Sequence, residues 1–311
     1  MTILVAADFD AGEWAAWWPA LGAALPGERL VRSVAEAGAD TIDIALVANP
    51  PLGALQGLPQ LRLIQSLWAG VDRLLADPSV PAEVPLARMV DPAMNAAMAE
   101  TALWAVLSLH RGFFAYATRQ RAAEWRAHAQ RRAGEITVAV LGLGQMGRAA
   151  ALTLARHGYR VLGWSTRPCT IEGIDTHAGD ASLPQVLAAA QIVVNLLPLT
   201  PATRGLFNTS TFDRMPQGAS LVNLARGAQV VEADLLTALD RGQLRHAVLD
   251  VFVAEPLPAE HPFWSHRQVT VLPHVAAQTD PRTAAQIVAR NVQALRGGQG
   301  LRALVDRRRG Y

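Results

Sequence analysis

Hydrophobic residues occur in short continuous runs that alternate with longer amphipathic or alanine-rich stretches. Short apolar runs bounded by turn residues are typical of strands buried on both faces, and the longer stretches are typical of helices. The runs predict strands at 3–7, 42–47, 61–66, 136–141, 159–164, 192–197, 219–223, 247–251 and 269–272. The stretches between them predict helices at 13–25, 95–111, 149–157, 182–190, 231–241 and 281–295. Strands alternating with helices through short connections indicate an α/β protein with parallel sheets.

Two positions in this pattern suggest domain limits. Pro78, Pro81, Pro85 and Pro92 punctuate a loop-rich stretch, after which a long alanine-rich helix opens a new series of strands. We therefore predict one domain from residues 1–93 and a second from 94–280. The last helix, opened by Asp280 and Pro281, is expected to return with residues 281–311 to the first domain.

Composition excludes several classes of chemistry. The chain has 311 residues, 51% of them hydrophobic, which is enough for two domain cores. Lysine is absent, so a Walker-type phosphate loop, Schiff-base catalysis and a lysine proton donor are all excluded. The formal net charge is only +2, and the basic run 307–309 at the end of the chain is interpreted as a solvated tail. We therefore expect no nucleic-acid partner.

The expected cellular compartment rests on three features that the sequence lacks: a disulfide, a signal peptide and a membrane span. Cys169 is the single cysteine, so no intrachain disulfide can form, which suits a reducing compartment. The first residues lack the basic start and long apolar core of a signal peptide, and no apolar run is long enough to span a bilayer. We expect a cytoplasmic protein without a membrane partner, and no residue spacing indicates a metal site.

A glycine loop follows the strand predicted at 136–141. Gly142, Gly144 and Gly147 form GLGQMG, between an apolar strand and an alanine-rich helix. In that context the glycines permit a tight turn, close approach of a pyrophosphate and helix packing on the strand, and the helix N-terminus favours the phosphate charge. The alternative is a plain tight turn. The context favours a dinucleotide site that includes Gln145 and Met146, which makes 94–280 the NAD(P)-binding domain.

The next strand indicates which dinucleotide is preferred. An NAD site usually places an acid about 20 residues beyond the loop, where it binds the ribose 2′-OH. Here the strand ends in Trp164-Ser165-Thr166-Arg167, without an acid. Ser165 and Arg167 suit a 2′-phosphate, so we predict NADPH, with NADH possible but weaker. The alternative is that Arg167 is an ordinary surface arginine.

Three residues beyond later strands carry the predicted catalysis. Arg226, Glu255 and His274 each follow an apolar strand, and open α/β sheets bind ligands at the carboxyl ends of strands. Reducing a ketone requires a proton donor, which histidine can supply near neutral pH. A carboxylate orients the ring and favours the imidazolium, and a guanidinium binds a carboxylate or carbonyl. Separately, they could be a core histidine, a turn residue and a helix-start cation; together they indicate a catalytic set.

These motifs resemble those of a known family. The runs GLGQMG, LLPLTPATRGLFN, LVNLARGAQVVEADLLTALDRGQL, LDVFVAEPLP and LPHVAAQT are similar to the D-isomer-specific 2-hydroxyacid dehydrogenases, closest to the bacterial glyoxylate/hydroxypyruvate reductase A branch. The resemblance covers essentially the whole chain. It implies two Rossmann-like or flavodoxin-like domains with the active site in the cleft, and a homodimer. It also implies Arg226, Glu255 and His274 as catalytic residues. Near the nicotinamide and its ribose it implies Leu197, Pro198, Thr203, Ala225 and Asp250.

The same resemblance assigns residues 1–93 with 281–311 as the substrate-binding, or catalytic, domain. The run SLWAGVD at 66–72 matches the family's carboxylate-binding loop, in which the N–H groups of Ala69 and Gly70 would hold the substrate, beside Trp68, Arg226 and His274. The alternative is an ordinary strand-to-helix loop. Trp68 departs from the small residue that many members carry, which bears on substrate size.

The expected activity is NADPH-dependent reduction of a small 2-keto acid, glyoxylate or hydroxypyruvate, to glycolate or D-glycerate. Two alternatives stay open. The same scaffold could act on a larger branched or aromatic keto acid, or the chain could be a dinucleotide-sensing binding protein, since fold alone does not decide function.

Overall fold

The computed structural model describes residues 2–311. They form two compact units, one running to Met94 and including Thr279–Tyr311, the other comprising Asn95–Gln278. The sequence-based limits lie between 93 and 94 and between 280 and 281. Which unit binds the substrate stays a prediction.

Twelve strands and nine α-helices make up this part of the chain. The strands are β1 (Thr2–Ala7), β2 (Arg29–Val31), β3 (Ile42–Ala48), β4 (Leu63–Ser66), β5 (Leu86–Ala87), β6 (Thr137–Leu141), β7 (Arg160–Ser165), β8 (Asp175–Ala178), β9 (Ile192–Asn195), β10 (Ala219–Asn223), β11 (Leu244–Leu249) and β12 (Val269–Val271). The helices are α1 (Ala11–Ala24), α2 (Asp72–Ala76), α3 (Pro92–Arg111), α4 (Phe113–Arg121), α5 (Gln145–Arg156), α6 (Leu183–Ala189), α7 (Thr209–Arg214), α8 (Glu232–Asp240) and α9 (Pro281–Arg296). No helix among these described residues combines the length and apolar character needed to cross a membrane.

The first unit is built on a five-stranded parallel sheet in the order β2-β1-β3-β4-β5. Its central strand β3 is buried along its whole length, as expected for a strand covered on both faces. Helix α9 packs against α1, so the last helix lies in the first unit. The strand order is that of a flavodoxin-like fold, which changes direction between β1 and β3.

The second unit contains a seven-stranded parallel sheet in the order β12-β11-β10-β9-β6-β7-β8. Side chains of β6 alternate between its two faces: Ala139 and Leu141 belong to one apolar cluster, Val138 and Val140 to the other. The order is that of the doubly wound Rossmann fold, with its switch point between β6 and β9. The predicted fold class, two α/β domains with parallel sheets, is confirmed.

The ladder also aligns the ends of the strands. Leu141 of β6 pairs with Asn195 of β9, Asn195 pairs with Asn223 of β10, and Asn223 pairs with Leu249 of β11. Each of these is the last residue of its strand. The loops that follow them therefore leave the sheet side by side.

Elements that the sequence analysis missed have weak local signals. Strands β2 and β5 contain three and two residues, and β8 is polar and partly exposed along its length. Helices α2, α4 and α7 are short, and α4 has no fully buried residue. Strand β11 begins at Leu244 rather than at 247, because the exposed Arg245 interrupts its apolar run while the ladder with β10 continues.

The spacing of Ser182 and Gln185 predicts a capping box at the start of α6, and this prediction is wrong. Ser182 has helical backbone angles, and its hydroxyl donates to the carbonyls of Ala178 and Gly179 instead of accepting from the helix. The same hydroxyl accepts from the indole N–H of Trp164. Hydrogen bonds to residues outside the helix thus replace the contact that the local motif predicts.

The interpretation of the C-terminal arginines as a solvated tail is also wrong for Arg307. Leu304 forms an antiparallel bridge with Ala87, so the chain end lies along β5. The Arg307 guanidinium donates to the carbonyls of Pro81 and Val84, each at 2.8 Å. Arg309 pairs with Asp306, and Arg308 is exposed.

An ion-pair cluster joins the end of α9 to the sheet of the first unit. Arg296 donates to both carboxylate oxygens of Glu28 at 2.8 Å and also binds the buried Asp43. We expect Arg296→Gln to lower the free energy of unfolding by about 3–5 kcal/mol, because it leaves the Asp43 carboxylate buried without its cation. Urea denaturation measures this, with Arg290→Gln as the control on an exposed arginine of the same helix.

The loss of unfolding free energy in Arg296→Gln depends on pH. The hydrogen bond from Arg296 holds the pKa of Glu28 below its ordinary value of 4.5 despite partial burial. The stability that Glu28 contributes is therefore complete above about pH 4.5 and is lost as pH falls through the lowered pKa. The gap between the wild-type protein and Arg296→Gln should narrow in acid, and a gap independent of pH between 3 and 7 would contradict this role.

Candidate active site

The residues predicted for cofactor binding and catalysis in the second unit follow the carboxyl ends of its strands. The glycine loop follows β6, Ser165 ends β7, Leu197 and Pro198 follow β9, and Ala225 and Arg226 follow β10. Asp250 and Glu255 follow β11, and His274 follows β12. The aligned strand ends place these loops along one edge of the sheet.

The glycine loop has the stereochemistry of a dinucleotide site. Gly142 has φ +97°, and a Cβ there would lie 2.6 Å from the Leu196 carbonyl oxygen. A Cβ on Gly147 would lie 1.7 Å from the carbonyl oxygen of Gly142. Gly144 differs, because a Cβ would meet nothing within 4 Å. Two glycines are thus required by the fold, whereas the space at Gly144 is open to a ligand.

Helix α5 begins directly after this open position. Gly144 is its N-cap, and Gln145, Met146 and Gly147 form its first turn, which contains no acidic residue. The unpaired N–H groups and positive end of the helix dipole therefore face no competing carboxylate within the turn. These residues fit a pyrophosphate.

The end of β7 combines a hydroxyl with a cation. Arg167 is exposed, and no acid occurs between it and Trp164. The Ser165 hydroxyl donates to the carbonyl of Arg167 at 2.6 Å and lies 3.5 Å from the thiol of Cys169. The hydroxyl proton is thus used within the loop, and the guanidinium is the group available to a 2′-phosphate.

The loop after β9 is shaped by Thr203. Its hydroxyl, in a buried side chain, donates to the Pro198 carbonyl at 2.7 Å and accepts from the Thr200 N–H at 2.8 Å. Thr203, a predicted cofactor residue, therefore stabilises the loop that begins at Pro198 through these two hydrogen bonds. Its hydroxyl does not project as a free donor.

His274 and Glu255 form a hydrogen-bonded pair. The ring Nδ1 of His274 lies 2.7 Å from Oε2 of Glu255, while Oε1 accepts from the Phe252 N–H at 2.9 Å. With Nδ1–H donated to the carboxylate, the transferable proton of an imidazolium resides on Nε2. No residue in the described part of the chain binds Nε2.

The charges around Glu255 favour its ionised form. Burial acts to raise its pKa, but the hydrogen bonds from His274 and Phe252 and the nearby positive charges outweigh burial, so the pKa lies below its ordinary value. Arg226 is one of those charges, and its guanidinium also donates to the Ala225 carbonyl at 2.7 Å. The structure thus brings together all three predicted catalytic residues.

Asp250 shapes the loop that carries His274. Its two carboxylate oxygens accept from the N–H groups of Val275 and Ala276, at 2.8 and 3.0 Å, and its carbonyl accepts from the His274 N–H. His274 itself has φ +54°, an uncommon conformation for a residue with a side chain. Burial raises the pKa of Asp250 although both N–H groups oppose the shift. Asp250 therefore holds the histidine loop in place.

The predicted carboxylate-binding loop lies in the first unit, after β4. The Ser66 hydroxyl accepts from the Trp68 N–H at 3.1 Å, and the indole of Trp68 packs edge-on against Phe9 and Trp17. The N–H groups of Ala69 and Gly70 have no partner among the described residues. The loop therefore presents two adjacent free donors beside a fixed indole.

Three buried amides near this edge of the second sheet were not predicted from the sequence: Asn195, Asn223 and Gln229. All three side chains are fully buried. Asn195 could have been noticed, because it interrupts the apolar run at 192–197. Gln229 gives no such signal, since it lies outside any predicted strand. Among the described residues, no group of three or more histidines, cysteines and acids is placed to hold a metal ion.

Known proteins resemble this chain over most or all of its length. Residues 103–276 match the family model for the NAD binding domain of D-isomer specific 2-hydroxyacid dehydrogenases. A glyoxylate/hydroxypyruvate reductase A of Serratia proteamaculans is 41% identical, over 97% of each chain. A D-isomer specific 2-hydroxyacid dehydrogenase of Xanthobacter autotrophicus, solved with NADPH and MES, is 42% identical with a TM-score of 0.94, over 100% of this chain and 99% of its own.

A further solved structure has a lower identity and a closely similar fold. It is the NADPH-dependent glyoxylate/hydroxypyruvate reductase of Sinorhizobium meliloti, in complex with NADP and sulfate. It is 35% identical with a TM-score of 0.93, over 100% of this chain and 99% of its own. The match of the family model to more than half of the chain and these near-complete alignments show that the chain belongs to the D-isomer specific 2-hydroxyacid dehydrogenase family.

Proposed function

We propose that the protein catalyses NADPH-dependent reduction of glyoxylate and hydroxypyruvate to glycolate and D-glycerate. The observation that carries the proposal is the His274–Glu255 pair, 2.7 Å apart, beyond the same sheet edge as the glycine loop. The names of the relatives from Serratia and Sinorhizobium support the substrate class. A keto-acid reductase needs both a dinucleotide site and a proton donor, and residues suited to each follow this edge, which supports the proposal.

Each catalytic residue has a separate task in this proposal. His274 donates a proton from Nε2 to the oxygen of the substrate carbonyl, because Nδ1 is bound to Glu255. Glu255 remains ionised and stabilises the imidazolium. Arg226 binds the keto acid through its guanidinium. Bound NADPH would supply the hydride for the carbonyl carbon.

The cofactor would be held by residues of the second unit. Gly144 and the first turn of α5 suit the pyrophosphate, and Arg167 suits the 2′-phosphate. Leu197, Pro198, Thr203, Ala225 and Asp250 form the nicotinamide side. NADPH and NADP in the two solved relatives support the preference for the phosphorylated dinucleotide.

The N–H groups of Ala69 and Gly70 would hold the substrate carboxylate. Their freedom from other partners supports this role, because two adjacent donors form a site for an anion. The indole of Trp68, fixed by Phe9 and Trp17, favours a small substituent on the keto acid. Phenylpyruvate turned over faster than glyoxylate and hydroxypyruvate would favour a larger substrate instead.

We further infer that the protein is a cytoplasmic homodimer. The exposed apolar side chains of Trp104, Phe113 and Trp125, on α3, α4 and the segment after α4, support a partner surface on the second unit. The exposed thiol of Cys169 suits a reducing compartment. Sedimentation equilibrium tests the dimer, and a mass of 33.3 kDa, one chain, would contradict it.

Substitution of the proton donor tests the reaction itself. We expect wild-type protein to oxidise NADPH with glyoxylate or hydroxypyruvate, and His274→Ala to lower kcat by about 10²–10⁴-fold, the usual contribution of a general acid. Initial rates at the reduced-nicotinamide absorbance band measure this. His157→Ala, on an exposed histidine just after α5, should leave the rate unchanged. An equal loss in both variants, or no turnover by the wild type, would refute the assignment.

The pH profile tests the pairing with Glu255. Because the pKa of Glu255 lies below its ordinary value, its carboxylate stays charged through neutral pH and favours the imidazolium. Reduction should therefore fall as pH rises and the imidazolium is lost. Glu255→Gln should lower kcat across the neutral pH range, since an uncharged amide no longer stabilises the imidazolium. A profile unchanged in this variant would exclude that role for Glu255.

Cofactor preference depends on the arginine after β7. Arg167→Gln should raise KM for NADPH by about tenfold, equivalent to 1.4 kcal/mol, and leave KM for NADH nearly unchanged, because only NADPH carries the 2′-phosphate. Steady-state kinetics with both cofactors measure the ratio. Arg160→Gln, an exposed arginine at the opposite end of β7, is the control. Equal effects on both cofactors would refute a phosphate contact.

The glycine loop offers a matched pair of substitutions. Gly144→Ala should fold normally, because its Cβ meets nothing, but should raise the Kd for NADPH by about tenfold by obstructing the pyrophosphate. Gly147→Ala should instead lower the free energy of unfolding by about 3 kcal/mol or more, because its Cβ overlaps a carbonyl oxygen. Thermal melting and fluorescence titration separate the two effects. Unaltered NADPH affinity in Gly144→Ala would place the pyrophosphate elsewhere.

A further inference from the structure

Three buried amides lie under the loops that follow β9 and β10. Asn195 is the last residue of β9, Asn223 the last of β10, and Gln229 ends a 3₁₀ turn that begins one residue after Arg226. We call these three side chains the amide cluster. Each is fully buried, so every polar atom needs a partner to offset the loss of water.

Gln229 uses all of its hydrogen-bonding capacity. Its Oε1 accepts from Nδ2 of Asn195 at 2.7 Å and from the N–H of Arg226 at 3.2 Å. Its Nε2 donates to the carbonyls of Leu197 and Pro198, at 3.0 and 3.1 Å. One side chain thus binds the backbone of the catalytic arginine and the backbone of the proposed nicotinamide loop.

The other two amides fix Gln229 against the sheet. Nδ2 of Asn195 also donates to Oδ1 of Asn223 at 2.9 Å, and Nδ2 of Asn223 donates to the Arg226 carbonyl at 3.0 Å. Arg226 is therefore held at both its N–H and its carbonyl. Because Asn195 and Asn223 are paired in the ladder, the amide cluster is anchored directly to the parallel sheet.

We propose that Gln229 is a positioning residue that sets the separation between Arg226 and the nicotinamide loop at Leu197 and Pro198. The inference deepens the proposed function and rests on it, because it assumes that Arg226 binds the substrate and that this loop contacts the nicotinamide. A small displacement between the two reacting partners can cost about 10²-fold in rate.

The chemistry of the side chain explains why an amide is required. A site with two carbonyls on one side and two N–H groups on the other needs a group with two donors and two acceptor lone pairs. An apolar residue of the same size leaves the Leu197 carbonyl and one N–H of Asn195 without a partner and removes the acceptor of the Arg226 N–H. The Pro198 carbonyl keeps the Thr203 hydroxyl. A carboxylate satisfies the two N–H groups but opposes the two carbonyls.

A purely structural role is the competing explanation, and the chain contains a matched example of it. Nε2 of Gln243 donates to the carbonyls of Phe212 and Met215, at 2.9 and 2.8 Å, in the same unit but away from the proposed catalytic residues. Gln243→Met is therefore the control for Gln229→Met. Each variant loses two hydrogen bonds to backbone carbonyls. Only those of Gln229 are made to the proposed nicotinamide loop.

The first measurement separates kcat from stability. Gln229→Met should lower kcat by about tenfold to a hundredfold with a small change in KM for NADPH, since the pyrophosphate and 2′-phosphate contacts are untouched. Gln243→Met should lower the melting temperature and leave kcat within about twofold. Equal kcat values in the two variants at temperatures where both are folded would overturn the proposal.

A second measurement does not need turnover. The fluorescence emission of bound NADPH reports the surroundings of its nicotinamide. Gln229→Met should bind NADPH with near wild-type Kd but lose most of the emission change, whereas Gln243→Met should keep it. If the wild type turns over neither keto acid, the proposed function fails, and the emission comparison still decides the role of Gln229. An unchanged emission would overturn it.

Gln229→Glu tests the two N–H donors of Gln229 separately from its acceptor oxygen. It also serves as the test variant if Gln229→Met does not fold. Burial raises the pKa of such a carboxyl, so its protonated form can donate to one of the two carbonyls. We expect the emission change of bound NADPH in Gln229→Glu to be near wild type at pH 6 and reduced at pH 9, while the wild type stays constant. Emission independent of pH and equal to that of the wild type would show that the clamp on Leu197 and Pro198 is not needed.

Discussion

The parallel hydrogen-bond ladder of the second unit is the constraint on which its chemistry depends. It pairs Leu141, Asn195, Asn223 and Leu249 in one row, each as the last residue of its strand. Leu141 and Leu249, more than a hundred positions apart in the chain, thereby begin their loops at the same edge of the sheet. A shift of one residue in any of these pairings would move the following loop along the sheet and turn its side chains to the other face.

Buried polar groups fix the loops of this edge in addition to the apolar packing of Leu197, Leu224 and Phe252. Asp250 holds the histidine loop through two N–H groups, and the amide cluster holds the backbone of Arg226. Hydrogen bonds have fixed directions, whereas apolar contacts do not, so polar anchors define the position of a loop more closely. The left-handed backbone of His274 is consistent with this, because a strained conformation persists only where its surroundings hold it.

The proposed functional groups are more exposed than the residues that hold their loops. His274 and Arg167 are open to solvent, while Asp250, Asn195 and Gln229 are buried. In the proposed function this division leaves His274 and Arg167 accessible to a ligand, while the residues that hold the loops stay buried at the sheet edge. The low pKa of Glu255 arises in the same way, because its burial is only partial and hydrogen bonds and cations outweigh it.

The sequence by itself determined the fold class and the glycine loop, and it identified Arg226, Glu255 and His274 as candidates. Apolar runs buried on both faces, a glycine pattern between strand and helix, and chemically distinctive residues after strands are local signals that need no knowledge of contacts. It missed β8 and the short strands, and it gave Ser182 a cap and Arg307 a solvated position that the structure contradicts.

Only the tertiary structure decided which partners meet. Ser182 binds carbonyls preceding α6, Arg307 folds back on the carbonyls of Pro81 and Val84, and Gln229 reaches Leu197 and Pro198 across 32 and 31 residues. Such contacts are absent from local patterns because they depend on strand order and register, which bring distant segments together. The chemically distinctive residues could therefore be recognised in the sequence. The partner of each polar group depended on the neighbours that the parallel sheet placed beside it.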